Sequence, residues 1–147
     1  MPTETFYSHG KLLLTAEYVV LDDAEALGLP TKFGQKLEVE TSTEAKTINW
    51  KSLLHNQETW LDFQFTWNEN YKFTSNSSLP EAKKLVEIFN WLAQQNPSLF
   101  AEDKGYTIIS TLEFPKNSGL GSSSTLVNNL AQWSKKIAFA LQDYAFG

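Results

Sequence analysis

The sequence contains no cysteine and no long apolar run. Without cysteine the chain forms no disulfide bond and no thiolate metal site. None of its apolar segments approaches the roughly 18–20 residues that a helix needs to cross a bilayer. The first residues also lack the charged-then-apolar order of a secretory signal. Together these absences predict a cytoplasmic protein with no membrane partner.

Basic residues are scarce and nowhere clustered. Lysine and arginine total 12 against 17 aspartates and glutamates, which gives a formal net charge of −5. Proteins that bind nucleic acid broadly present a basic surface that displaces counterions from phosphates, so we expect no nucleic-acid partner. An acidic protein still binds a nucleotide, because backbone N–H groups, one lysine and Mg²⁺ supply local positive charge.

Apolar residues are plentiful, and many of them alternate with polar ones. With 147 residues and 41% hydrophobic composition, the chain is long enough for one domain with a substantial core. Period-two alternation predicts strands at 35–43, 47–53, 60–67 and 105–114, and two further β segments within 5–21 that are broken at Ser8–Gly10. The short connections between the strands at 35–43, 47–53 and 60–67 predict an antiparallel meander.

Two segments have the apolar spacing of helices. The first runs from Pro80 to Asn96 and ends before Pro97, and the second runs from Ser122 to about Leu141. The polar segment 68–79 is predicted to be a loop. Strands accompanied by two helices predict an α+β fold, with the helices on one face of a mostly antiparallel sheet.

Residues 114–133, FPKNSGLGSSSTLVNNLAQW, run from the last predicted strand into the second helix. All of their glycines and serines lie within residues 115–124, the glycine–serine segment. Their glycines and serines fit two interpretations. One is an ordinary connector with a serine N-cap. The other is a phosphate cradle, because glycine lets backbone amides converge and the first helical turn has unpaired N–H donors. The segment lacks the lysine of a Walker A loop and the third glycine of a Rossmann fingerprint.

The segment resembles the phosphate loop of the GHMP kinases, which are named for galactokinase, homoserine kinase, mevalonate kinase and phosphomevalonate kinase. That loop has Pro, a few residues, then Gly-Leu-Gly-Ser-Ser, and residues 115–125 read PKNSGLGSSST. A second motif, GKLLLTAEYVVL from Gly10, is similar to the mevalonate and phosphomevalonate kinase branch and to the bacterial GYDIA family. His9 and Ala16 stand where the family usually has Pro and Gly.

The resemblance implies a fold like domain 2 of ribosomal protein S5 and ATP-dependent phosphorylation of a metabolite's hydroxyl or phosphate, with Mg²⁺. It implies that Lys11 is catalytic beside the transferred phosphate and that Ser123 is a Mg²⁺ ligand. Glu17 and His9 are expected to be structural or substrate-side residues. The residues implied to bind the ATP phosphates are Pro115, Asn117, Ser118, Gly119, Leu120, Gly121, Ser122, Ser123 and Ser124.

The resemblance covers all of residues 1–147 but only the N-terminal half of a typical GHMP kinase. The catalytic Asp, a second acidic Mg²⁺ ligand and the ferredoxin-like half would follow Gly147, so we expect a truncated ATP-binding domain that is inactive alone. Two other functions stay open. One is a non-catalytic ligand-binding module of the same fold, and the other is RNA binding as in protein S5, which the acidic composition disfavours.

Overall fold

The chain forms strands and helices that account for most of the residues described. A computed structural model describes residues 3–14, 27–114 and 122–134. Its elements are β1 (Thr3–Leu14), β2 (Leu27–Thr41), β3 (Thr47–Leu53), β4 (Thr59–Trp67), β5 (Phe73–Ser75), α1 (Pro80–Gln95), a 3₁₀ turn (Pro97–Phe100), β6 (Tyr106–Leu112) and α2 (Ser122–Ser134). None of the helices in these ranges is long and apolar enough to cross a membrane.

The strands form a single sheet in the order β1-β2-β6-β3-β4-β5. Every neighbouring pair is antiparallel except β3 and β6, which run parallel. The predicted mostly antiparallel sheet is confirmed, but the predicted meander is wrong at its first step. β2 and β3 are not neighbours, because β6 lies between them and the connection 42–46 passes over the start of β6.

One face of the sheet is buried and the other is polar. The strands place apolar side chains on the buried face at alternate positions, among them Leu37, Ile48, Trp50, Phe63, Phe65 and Ile108. Both helices add to the same core, α1 through residues such as Leu85 and Phe89 and α2 through Val127 and Leu130. The helices therefore pack on one face, as predicted, and the α+β fold class is confirmed.

Several element bounds differ from the predictions. β1 is continuous through Ser8–Gly10, where its pairing with β2 shifts register between His9 and Lys11 instead of breaking. β2 begins at Leu27, and β5 lies within the segment predicted to be a loop. β5 is a strand because it pairs antiparallel with the end of β4, and its Phe73 amide also donates to Asn90 Oδ1 of α1 at 2.8 Å. Residues 15–21 and the predicted continuation of α2 to Leu141 lie outside the described residues.

Candidate functional site

The glycine–serine segment connects β6 to α2. β6 ends at Leu112, and Ser122, Ser123 and Ser124 form the first turn of α2, so the segment runs from a strand to a helix N-terminus, as a phosphate cradle requires. The first turn of an α-helix has unpaired N–H groups and the positive end of the helix dipole. Its backbone can therefore bind an anion. The other predicted phosphate-binding residues, Pro115, Asn117, Ser118, Gly119, Leu120 and Gly121, lie outside the described residues, as does Glu17.

Lys11 and His9 both lie on β1. The Lys11 backbone pairs with Pro30 of β2, directly after the register shift. His9 is exposed, and its ring meets the Tyr7 ring edge-on with centroids 5.0 Å apart. β1 also packs against α2. The strand that carries Lys11 and the helix that carries Ser123 are therefore direct neighbours.

Polar side chains, all buried except the half-buried Asn128, join β1, β2 and β6 to α2. The members of this α2 network are Ser8, Gln35, Ser110, Thr125, Asn128 and Asn129. Asn129 is fully buried, accepts from Ser8 Oγ at 2.6 Å and donates from Nδ2 to the Gln35 carbonyl at 2.9 Å. Asn128 Nδ2 also donates to Ser8 Oγ, at 2.6 Å. One pair of asparagines thus holds α2 to the two strands beside it.

Gln35 extends the network to β6. Its Oε1 accepts from Thr125 Oγ1 at 2.5 Å, and its Nε2 donates to Ser110 Oγ at 2.6 Å. Gln35, Thr125 and Ser110 are all buried. Hydrogen bonds are directional, so this arrangement defines where the first two turns of α2 sit on the sheet. The sequence analysis missed these residues, although polar residues at buried positions of an apolar helix pattern are a usable signal.

We expect Asn129→Leu to lower the free energy of unfolding by about 1–3 kcal/mol. The leucine removes the acceptor of the Ser8 O–H and the side-chain donor to the Gln35 carbonyl, and the loss of buried hydrogen-bond partners costs about that much. Urea denaturation followed by tryptophan fluorescence measures the change. The matched control is Gln132→Ala on the exposed face of the same helix, expected within about 0.5 kcal/mol of wild type. Equal stability of the two variants would contradict the assigned role.

A second set of contacts holds the residue that enters the glycine–serine segment. Glu113 Oε1 accepts hydrogen bonds from the Tyr7 hydroxyl and from the Gly34 amide, the latter at 2.8 Å. The Glu113 amide in turn donates to the Gly34 carbonyl at 2.9 Å. Burial of the phenol, and to a smaller extent its hydrogen bond to Glu113, raises the pKa of Tyr7 to about 12. Tyr7 therefore stays protonated and able to donate at neutral pH.

A pocket of about 390 Å³ lies between the sheet, the start of α1 and α2. Its walls are mostly apolar and include Trp50, Trp60, Leu85, Ile88, Leu112 and Leu126. This volume is within the range of about 300–1,000 Å³ that is usual for small-molecule sites. Leu112 ends β6 and Leu126 lies in the second turn of α2, so the pocket extends to the end of β6 and to the N-terminal part of α2.

Five polar or charged residues interrupt the apolar lining of the pocket. They are Gln35, Ser52, Glu81, Lys84 and Ser110. Ser52 and Ser110 are paired across β3 and β6, and Ser52 Oγ accepts from Trp50 Nε1 at 2.8 Å. Apolar walls with a few polar groups are typical of a small-molecule or cofactor site. Gln35 and Ser110 belong to the α2 network as well, so the pocket and the network share residues.

The described residues include no group of three or more carboxylate or imidazole side chains that could hold a metal ion. The predicted Mg²⁺ ligand, Ser123, is a hydroxyl residue in the first turn of α2. A hydroxyl oxygen is a hard donor of the kind that Mg²⁺ accepts, and Mg²⁺ usually takes its remaining ligands from phosphates and water. The residue type at this position fits the ion, and the assignment of Ser123 stays a prediction.

No established family profile and no curated relative matches the sequence. Solved structures do match its fold. A mevalonate kinase from Methanococcus jannaschii aligns with a TM-score of 0.63 and 15% identity over 99% of this chain and 48% of its own. A protein from Campylobacter jejuni described as a candidate sugar kinase aligns with a TM-score of 0.62 and 15% identity over 99% of this chain and 46% of its own.

A mevalonate diphosphate decarboxylase from Legionella pneumophila also aligns, with a TM-score of 0.56 and 16% identity over 98% of this chain and 41% of its own. The chain thus spans less than half the length of each of these proteins. The described chain shares the α+β fold of these proteins over somewhat less than half of their length.

Proposed function

We propose that this chain is the ATP-binding half of a GHMP-type kinase that transfers the γ-phosphoryl group of ATP to a hydroxyl or phosphate of a small metabolite. The observation that carries the proposal is the position of SGLGSSS between the end of β6 and the first turn of α2. A strand, a glycine-containing loop and a helix N-terminus in this order form an anion site. The fold shared with kinases supports the same function.

The pocket beside α2 is the proposed site of the nucleotide base. Its aromatic walls, Trp50 and Trp60, suit a flat heterocycle, and Gln35, Ser52 and Ser110 offer hydrogen bonds to its edge. Leu112 at the end of β6 and Leu126 near the start of α2 both line the pocket, so a base held there is proposed to direct its phosphates toward the first turn of α2. In this proposal the pocket binds the base and the N-terminus of α2 binds the phosphates.

The chemistry proposed for this half is charge stabilisation and positioning. The acceptor oxygen attacks the γ-phosphorus while the bond to the bridging oxygen of ADP breaks, and negative charge spreads over the phosphoryl oxygens. Lys11 is proposed to neutralise that charge, and the amides of the first turn of α2 to orient the phosphates. Mg²⁺, when bound, would neutralise part of the phosphate charge, with Ser123 as its protein ligand on this half.

Two substitutions test the site in the full-length protein. Lys11→Ala is expected to lower kcat about 10²–10³-fold, the usual effect of removing one group that stabilises transition-state charge. Ser123→Ala is expected to weaken Mg-ATP binding and to raise the Mg²⁺ concentration needed for turnover. Isothermal titration with Mg-ATP and a coupled ADP-release assay across candidate acceptors measure both effects.

The matched controls are Lys51→Ala and Ser78→Ala, two exposed positions away from α2. Both are expected to behave as wild type. Wild-type affinity and turnover in Lys11→Ala and Ser123→Ala together would disprove the site assignment. Tight Mg-ATP binding without ADP release for any acceptor would instead favour the non-catalytic binding module.

A further inference from the structure

Gln35 is the residue at which the pocket and α2 meet. Its side chain lines the pocket, and its Oε1 accepts a hydrogen bond from Thr125, which lies one turn after Ser122. Its Nε2 holds Ser110, another pocket residue, at 2.6 Å. Gln35 is 5% exposed, so these contacts lie in an environment from which water is largely excluded. In such surroundings each hydrogen bond is stronger and its loss more costly than at the surface.

We propose that Gln35 is a positioning residue that couples occupancy of the pocket to the order of the first turn of α2. The proposal rests on the nucleotide site described above and adds a mechanism to it. The Gln35 amide is hydrogen-bonded at both ends, and a ligand seated in the pocket restrains it further and, through Oε1, restrains Thr125. The N-terminal turns of α2 are then held more firmly before the phosphates bind to them.

The physical basis is the difference between directional and non-directional contacts. Elsewhere α2 packs on the sheet through apolar side chains such as Val127 and Leu130, which tolerate small sliding movements. The hydrogen-bonded chain Thr125–Gln35–Ser110 does not tolerate such sliding, because each donor must stay close to its acceptor and aligned with it. Ordering that the base has already brought about need not be repeated by the phosphates, so binding of the two parts becomes cooperative.

The test uses the full-length protein and adenosine, which fills the pocket and carries no phosphate. Hydrogen exchange of the α2 amides is measured with and without adenosine, and titration calorimetry gives the affinities for adenosine and Mg-ATP. Thr125→Val removes the hydroxyl at nearly constant shape, whereas Thr125→Ser retains it. Gln35→Met removes the amide from the other side. Val127→Ala, buried on the same helix, is the control for simple loss of stability.

In wild type we expect adenosine to slow exchange of the α2 amides at 126–128, whose intrahelical acceptors are the carbonyls of the first turn, by at least about fivefold, a usual size for coupling between sites. Thr125→Ser and Val127→Ala keep that effect. Thr125→Val loses it, binds adenosine within about twofold of wild type and binds Mg-ATP at least about fivefold more weakly. Gln35→Met loses it too and, because Gln35 itself lines the pocket, also binds adenosine more weakly.

Adenosine binding without slower exchange in wild type would overturn the coupling and leave the nucleotide site intact. The same protection in Thr125→Val as in wild type would overturn it as well. If the wild-type protein bound neither adenosine nor Mg-ATP, the proposed function would be overturned, and the coupling with it.

Discussion

Replacing Gly105 with alanine is expected to destabilise the protein by about 3 kcal/mol or more, at the upper end of the range for forced overpacking. The connection 42–46 crosses the start of β6 here, with the Ser42 amide donating to the Gly105 carbonyl at 2.8 Å and the Lys46 amide to the Lys104 carbonyl at 2.6 Å. A Cβ on Gly105 would overlap the carbonyl oxygen of Glu44 and lie 2.8 Å from its carbonyl carbon. Backbone, unlike a flexible side chain, cannot move aside without breaking these bonds.

The control for Gly105→Ala is Lys104→Ala at the adjacent exposed position, where we expect a change within about 0.5 kcal/mol. Chemical denaturation of both variants measures the difference. If Gly105→Ala were as stable as Lys104→Ala, the 42–46 connection would not pass over β6 as described. The Cβ of residue 105 would then not overlap the Glu44 carbonyl.

Phe100→Ala is expected to lower the free energy of unfolding by about 3–5 kcal/mol, the usual cost of truncating a buried phenylalanine. Phe100 has no measurable exposure and stands in the 3₁₀ turn after α1. Its ring contacts rings from separate elements, with centroids 5.0 Å from Phe73, 5.4 Å from Trp67 and 5.9 Å from Trp133. Alanine would leave a cavity where β4, β5 and α2 meet.

Thermal and urea unfolding of Phe100→Ala and Phe100→Leu check this expectation. Leucine fills much of the same volume, so Phe100→Leu should lower the free energy of unfolding by about 1.5 kcal/mol or less. Phe33→Ala is a useful reference because Phe33 is 51% exposed. If Phe100→Ala cost no more than Phe33→Ala, Phe100 would not occupy the centre of the core.

The elements of this protein were largely predictable from its sequence because each depends on local periodicity. Alternation placed β3 at 47–53, as found, and the spacing of apolar residues placed the start of α1 at Pro80 and that of α2 at Ser122. The glycine–serine segment was located for the same reason, since its residue types express local backbone needs. Its phosphate-binding role stays a prediction.

The strand order was not predictable, because it depends on which edges meet once the chain has folded. The short 42–46 connection favoured pairing of β2 with β3, yet β6 enters between them from more than sixty residues further along the chain. The role of Gly105 follows only from that insertion. Nothing in the residues around Gly105 indicates that the Glu44 backbone will lie against it.

The candidate site divides along the same line. The sequence by itself determined the α+β elements and a strand–loop–helix segment with the composition of a phosphate cradle. Only the tertiary structure brought Ser8, Gln35, Ser110 and Asn129 together, because they come from three strands and a helix that are far apart in the chain. Local sequence encodes backbone conformation, whereas a shared buried pocket and its hydrogen-bond network exist only after the layers have packed.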